Sequence, residues 1–234
     1  DNIGIDDDDE WGFLETGWIG NTQHILTALE SVRNFEHCSR ISPPGSGRTR
    51  FLQEIRNRIP EGFEPLYLDL QKETSVSWMC DLIGYLREKT SIENILRQDE
   101  LDRINGFLNL SESIGNDTPE KTRQKFLEAC DVLFRGLSFD EKLVLLVDNP
   151  EEGEALSHKL IQLSMDSGSF IIVASGSKEA PEFYQTLNRI DWKPLEIEQA
   201  NGLIEELLGL RKSPAESFTK KVNEVQSIPE FPQI

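Results

Sequence analysis

The sequence predicts a three-layer α/β domain built on a parallel sheet, and three observations support this prediction. Residues 143–147 and 170–174 are continuously apolar and rich in β-branched side chains, which is typical of strands buried on both faces. Segments with helical spacing of apolar residues lie between such runs. A loop of proline, glycine and serine at 42–49 separates a candidate strand from a helix. Alternating strands and helices favour a parallel sheet covered on both faces.

The N-terminal part begins with an acidic tail. Residues 1–16 contain seven acidic residues and no basic residue. We expect a solvated or partner-contacting peptide, because Asp6–Glu10 lacks the glycine and the alternating ligands of a calcium loop. Helical spacing predicts a helix over 20–35, and a weak strand pattern covers 36–41.

The remaining elements follow the same alternation. Residues 51–59 show one apolar helical face that ends before Pro60, and 65–70 form a short strand pattern. Further helices are predicted over 76–86, 91–110, 117–137 and 155–165, a last strand over 192–197, and helices from 198 onward. We expect three parts: the tail at 1–16, an α/β domain at 17–197, and a helical lid at 198–234 within which the chain stops.

Composition narrows the class of protein. The net charge of −18 disfavours sequence-independent binding of nucleic acid. No apolar run reaches about 18 residues, so we expect no membrane span, and the start of the chain does not resemble a secretory signal. The absence of an initial methionine favours a fragment or a processed chain. Three widely spaced cysteines predict buried free thiols in a cytoplasmic, reducing compartment, and no familiar metal-cluster spacing occurs.

The loop Ser42-Pro-Pro-Gly-Ser-Gly-Arg-Thr49 carries the main functional signal. Compared with the pattern G-x-x-x-x-G-K-[ST], Gly47 and Thr49 match, while Ser42 replaces the first glycine and Arg48 replaces the lysine. Glycines let backbone amides converge on a phosphate, and the helix that follows adds its positive end. We therefore predict nucleotide contacts from Pro44, Gly45, Ser46, Gly47, Arg48, Thr49 and Arg50. The alternatives are a loop without a ligand and, for Arg50, Arg56 and Arg58, a solvated helix face.

A second candidate site follows the apolar strand 143–147. Asp148 stands at the strand end, where ligands bind in open α/β sheets, and with Thr49 it is the candidate ligand for Mg²⁺. In enzymes that carry such a phosphate loop, the residue after this aspartate is usually a glutamate that activates water. Asn149 stands there in this chain, so Glu151 and Glu152 are the remaining candidates for a general base. Ser175, at the tip of the next apolar strand, is a candidate contact for a phosphate or the attacking water. The alternatives are a capped turn for Asp148 and an ordinary strand end for Ser175.

Taken in order, these motifs resemble the AAA+/STAND branch of P-loop NTPases, in degenerate form. Residues 42–49 are similar to Walker A, 143–148 to Walker B, and 170–177 to the sensor-1 strand of archaeal-type ATPases. Trp18-Ile19-Gly20-Asn21 resembles the entry motif near the adenine, and 192–208 resembles the entrance to the lid. ATPase-like modules of the ExeA/DamX type, associated with secretion and the bacterial septum, fit equally well.

The resemblance implies an adenine nucleotide, ATP or ADP, with Mg²⁺, and contacts from Ile19 and Gly20. Arg48 replaces the lysine, Asn149 replaces the glutamate, and Asn21 replaces the usual arginine of the entry motif. These changes argue against efficient hydrolysis, since the loss of a general base lowers the rate by about 10²–10⁴-fold. Three hypotheses remain: a nucleotide-binding switch or scaffold that sets the angle of the lid, a nucleotide-free pseudo-ATPase that binds proteins, and an active ATPase. We expect a protein partner or a paralogous ATPase subunit, and the acidic charge gives a DNA-remodelling role little weight.

Overall fold

The computed structural model describes residues 22–90, 92–108, 119–137, 142–194, 197–198 and 200–201. The acidic tail, the entry motif with Ile19 and Gly20, and almost all of the predicted lid therefore lie outside the described residues. The helices are α1 (Thr22–Arg33), α2 (Arg48–Arg58), α3 (Ser75–Lys89), α4 (Gln98–Leu108), α5 (Pro119–Gly136), α6 (Ala155–Ser167) and α7 (Glu182–Gln185). The strands are β1 (Cys38–Ile41), β2 (Phe63–Asp69), β3 (Lys142–Asp148), β4 (Phe170–Gly176) and β5 (Asn188–Asp191).

The five strands form one parallel sheet in the order β2-β3-β4-β1-β5. Alternate residues of β3 enter two separate cores, as a strand buried on both faces requires. Leu145 belongs to a core cluster with residues of α3, α4, α5 and α6, whereas Leu146 belongs to a second cluster with residues of α1 and α2. The predicted three-layer α/β fold with a parallel sheet is confirmed.

The strand predicted over 192–197 is wrong. The last strand is β5, which pairs with β1 over residues 188–191, and only Ile190 in it is buried. An edge strand with one buried side chain needs no apolar run, whereas the apolar residues after Asp191 suggested a strand that does not form over 192–194. The cysteine prediction is correct for Cys38 and Cys130, which are buried, but Cys80 is exposed on α3.

The sheet register aligns four polar residues on neighbouring strands. Asp69 pairs with Asp148, Asp148 with Ser175, and Ser175 with Arg40. Side chains at paired positions point to the same face of a sheet, and this face is the one that α2 covers. We call these residues, Asp69, Asp148, Ser175 and Arg40, the polar row. It lies at the carboxyl ends of the strands, where α/β proteins place their ligands.

Candidate functional site

The loop of residues 42–47 connects β1 to α2 directly above the polar row. It is fixed to the sheet by the amide of Ser42, which donates to the carbonyl oxygen of Gly176 on β4 at 2.9 Å. Gly45 and Gly47 adopt φ values of 78° and 75°, a left-handed backbone conformation that residues with a Cβ rarely adopt. The Ser46 hydroxyl also donates to Ser42 Oγ at 2.7 Å. The two glycines therefore set the curl of the loop.

The curl leaves a set of backbone amides without acceptors. The first intrahelical bond of α2 runs from the Phe51 amide to the Gly47 oxygen at 2.9 Å, and no side chain caps the helix. The amides of Arg48, Thr49 and Arg50 precede that bond and have no helical partner. Within the described chain no acceptor faces the amides of Gly45 and Gly47 either. Five N–H groups at a positive helix end form a site suited to an anion.

Sequence reasoning missed Arg40, the residue that supports this loop from the sheet. Its guanidinium donates to the carbonyl oxygens of Ser46 at 2.8 Å and Gly47 at 3.3 Å, and it lies 5.0 Å from the Phe51 ring centroid. Arg40 is only 2% exposed. Burial, together with repulsion from Arg48, lowers the pKa of Arg40 to about 10, so it stays charged at neutral pH. The available signal was an arginine inside the strand that precedes the glycine loop.

Arg48 does not project freely from the loop. Its guanidinium forms an ion pair with the carboxylate of Glu151, in the 3-10 turn Pro150–Glu152 after β3. The other oxygen of Glu151 accepts a hydrogen bond of 3.0 Å from the Ser177 amide, after β4. Burial raises the pKa of Glu151, but the backbone amides of Ser177 and of Glu151 itself, together with the Arg48 guanidinium, outweigh burial and lower the pKa. The structure thus joins three predicted motifs through one carboxylate.

Asp148 is fully buried and holds two hydrogen bonds. The Tyr67 hydroxyl on β2 donates to Oδ2 at 2.7 Å, and the Asn149 amide donates to Oδ1 at 3.0 Å. Burial and the bond to Asp148 raise the pKa of Tyr67, which keeps its hydroxyl protonated as a donor. Asn149 has a left-handed φ of 51° and donates from its side chain to Asp69 at 2.9 Å. Tyr67 is a second residue that sequence reasoning missed.

The described residues do not fit a magnesium ion as they stand. Mg²⁺ takes six oxygen ligands and usually keeps several waters, but the Asp148 carboxylate is inaccessible and both of its oxygens already accept hydrogen bonds. Thr49, the other predicted ligand, is exposed on the first turn of α2. No group of three or more acidic, histidine or cysteine side chains within the described ranges could hold a metal ion.

The other predicted site residues are buried, exposed or paired within α2. Ser175 is buried in the polar row, and its hydroxyl has no hydrogen-bond partner among the described residues. Pro44 and Glu152 are exposed, the latter beside the Glu151 ion pair. Arg50 pairs with the buried Glu54 at 2.7 Å, and Arg58 approaches the same carboxylate at 3.4 Å. The side chains of Arg50 and Arg58 therefore pair within α2, as expected more for a helix face than for a phosphate clamp.

No protein-family model and no curated protein sequence matches this chain. Among solved structures, it is similar to the RuvB Holliday junction branch migration motor of Thermotoga maritima, with 11% identity and a TM-score of 0.46 over 82% of this chain and 51% of that one. Drosophila ORC bound to AT-rich DNA and Cdc6 gives 13% identity, a TM-score of 0.43, and coverage of 83% and 61%. The Pif1 helicase of Candida albicans gives 14% identity and a TM-score of 0.39, and the match covers 82% of this chain and 44% of that one.

This chain therefore spans about half of the RuvB chain. At these sequence identities and TM-scores, the functions of these proteins cannot be transferred to this chain. The assignment of the site therefore depends on the geometry of its own residues. No helix within the described residues is long and apolar enough to cross a membrane.

Proposed function

We propose that residues 17–197 form a degenerate AAA+/STAND-like P-loop module that binds an adenine nucleotide, ATP or ADP, as a switch or scaffold with weak or no hydrolysis. The observation that carries the proposal is the loop between β1 and α2. It presents the amides of Gly45 and Gly47 together with the uncapped end of a helix. Convergent amides of this kind bind phosphate without requiring a lysine.

The Arg48–Glu151 ion pair supports a switch. A phosphate at the loop competes with Glu151 for the Arg48 guanidinium, because both are anions and Arg48 offers one planar fork. When Arg48 turns to the phosphate, Glu151 loses a donor and its hold on the Ser177 amide weakens. Phosphate binding would thus change the contacts among α2, the turn after β3 and the loop after β4. In this proposal residues 198–234, which the sequence predicts to be a helical lid and most of which lie outside the described residues, are the part that responds.

The same geometry supports the proposal of weak or absent hydrolysis. Asn149 cannot act as a base, and Glu151 has a lowered pKa and two donors on its carboxylate. A general base works best when its pKa lies near the operating pH. An active ATPase that uses Glu151 therefore requires the ion pair to open first, whereas Glu152 is exposed beside the pair and takes no part in it.

The proposal is tested by isothermal titration calorimetry with ADP and ATP. Gly45→Asp introduces both a Cβ at φ 78° and a negative charge, and it should abolish binding. Gly62→Asp is the matched control, since Gly62 has φ 86°, is open to solvent and precedes β2 at the other end of the sheet. Absence of heat with either nucleotide at millimolar concentration for the unmodified protein overturns the proposal.

The ion pair also favours one alternative, a nucleotide-free pseudo-ATPase domain that binds a protein partner or a paralogous ATPase subunit. Here Glu151 permanently fills the role of the anion, and the acidic surface, with a net charge of −18, attracts a basic partner. In this case Gly45→Asp leaves the stability of the fold and partner binding close to those of Gly62→Asp, and no nucleotide protects the protein from thermal unfolding.

A further inference from the structure

The floor of the loop contains a buried positive charge. Arg40 is 2% exposed, and within the described chain no carboxylate lies within ion-pair distance of it. Its Nε atom and the neighbouring Ser175 hydroxyl are both buried without a hydrogen-bond partner there. A buried charge of this kind is costly unless an opposite charge compensates it. Among the described residues, its guanidinium finds acceptors only in the carbonyl oxygens of Ser46 and Gly47.

These contacts also orient the loop. In a trans peptide the C=O and N–H groups point in opposite directions, and the described chain has no cis peptide. Because Arg40 holds the oxygens of Ser46 and Gly47 toward the sheet, the amides of Gly47 and Arg48 must point away from it. Arg40 therefore presents two of the five amides to the side from which an anion approaches, and places its charge on the other side.

A divalent cation needs accessible carboxylates rather than buried positive charge. The Asp148 carboxylate is sealed between Tyr67 and the Asn149 amide, and the neighbouring Asp69 carboxylate is already held by Lys72 and the Asn149 side chain. In a site that neutralises a polyphosphate with Mg²⁺, the acid must face the ligand or its water shell. Here the neutralising charge comes from arginine.

We propose that the loop of residues 42–47 binds its phosphate without a divalent cation, and that Arg40, buried beneath the loop, supplies the charge and orients the amides. This inference rests on the proposed nucleotide function and deepens it, because it specifies the form of the ligand: free nucleotide or pyrophosphate rather than the magnesium complex. Arg40 is a positioning residue, since the backbone amides lie between it and the ligand.

The first test compares binding of ADP and inorganic pyrophosphate in EDTA with binding in millimolar Mg²⁺, by calorimetry on the full chain. We expect equal or tighter binding in EDTA, because Mg²⁺ removes negative charge from the ligand. Binding that appears only with Mg²⁺ overturns this inference but leaves the nucleotide function standing. Absence of binding in both conditions overturns the nucleotide function as well.

The second test assigns the role of Arg40. Arg40→Met should weaken pyrophosphate binding in EDTA by about tenfold or more, as expected for removing one charge near an anion at moderate effective dielectric. Arg40→Lys should recover part of the lost affinity, since lysine restores the positive charge but lacks the planar guanidinium that donates to two carbonyl oxygens at once. Arg56→Met removes an exposed positive charge from α2, the helix that follows the loop, and is the matched control.

Folding is checked separately by circular dichroism and thermal unfolding, and Arg40→Lys keeps the test valid if Arg40→Met does not fold. Unchanged affinity in a folded Arg40→Met variant overturns the role given to Arg40, and full affinity in Arg40→Lys overturns the orienting part of that role. An equal loss in Arg56→Met also overturns it, because the effect is then one of overall charge.

Discussion

The Tyr67 hydroxyl donates to Oδ2 of Asp148 at 2.7 Å and so joins the ends of β2 and β3 through a buried carboxylate. The two residues are 81 positions apart in the sequence. Their contact explains how Asp148 is accommodated at the end of an otherwise apolar strand, since a buried carboxylate needs donors in place of water.

Tyr67→Phe should therefore reduce the free energy of unfolding by about 1–3 kcal/mol, because it leaves a buried charged acceptor with one donor fewer. Urea denaturation followed by circular dichroism measures the loss. In an Asp148→Asn background the same substitution should cost clearly less. Equal losses in the two backgrounds would contradict the contact.

Glu151→Gln should strengthen binding of pyrophosphate by about tenfold, because it removes the charge that competes for Arg48. Glu152→Gln is the control, since Glu152 is the exposed neighbour and its carboxylate makes no hydrogen bond or ion pair among the described residues. Calorimetry at low salt makes the comparison. Weaker binding in Glu151→Gln than in Glu152→Gln would mean that Glu151 assists the ligand rather than competing with it.

The same carboxylate should make stability depend on pH at the acid end. The folded-state pKa of Glu151 is lowered, so the folded state releases this proton more readily than the unfolded state. Its stabilising contribution is present above the ordinary glutamate pKa of about 4.3 and is lost as the pH falls through the lower folded value. Urea midpoints between pH 6 and pH 3 should therefore fall less steeply in Glu151→Gln.

Three histidines should make the stability of the fold depend on pH at a higher pH than Glu151 does. Burial lowers the pKa of His24, His37 and His158, so the unfolded chain binds more protons than the folded protein just below the ordinary value of about 6.5. Stability should accordingly fall as the pH drops through 6.5 toward the lowered folded values. Nδ1 of His37 accepts a hydrogen bond of 3.1 Å from the Ile172 amide, so His37→Asn, which retains an acceptor that does not titrate, should flatten part of the slope.

Gly176→Ala should destabilise the protein by about 1–3 kcal/mol, because a Cβ would collide with the Pro150 ring and lie 2.9 Å from Glu151 Oε2. Gly84→Ala, in open space on α3, should instead stabilise it by about 0.5–1 kcal/mol. Thermal unfolding of both variants checks the pair. Equal stability of the two would show that the approach of Pro150 to β4 is looser than described.

The sequence permitted prediction of β3 and β4 because strands buried on both faces must be apolar throughout. It did not permit prediction of β5, whose backbone pairing with β1 needs only one buried side chain. The glycine loop was predictable from local spacing. Arg40 and Tyr67 were not, since their roles depend on strand order and register. Arg48 and Glu151 were each selected, but their pairing across 103 residues needs the tertiary structure.

The Arg48–Glu151 pair also bears on which anions the loop can select. In the proposed function an incoming phosphate replaces the Glu151 carboxylate that already neutralises Arg48, so a monovalent anion would exchange one negative charge for another and gain little. A ligand with two or more charges gains from the loop amides and Arg40 as well. Chloride and acetate in the cell would consequently be poor competitors, and occupancy would follow the concentration of polyvalent anions.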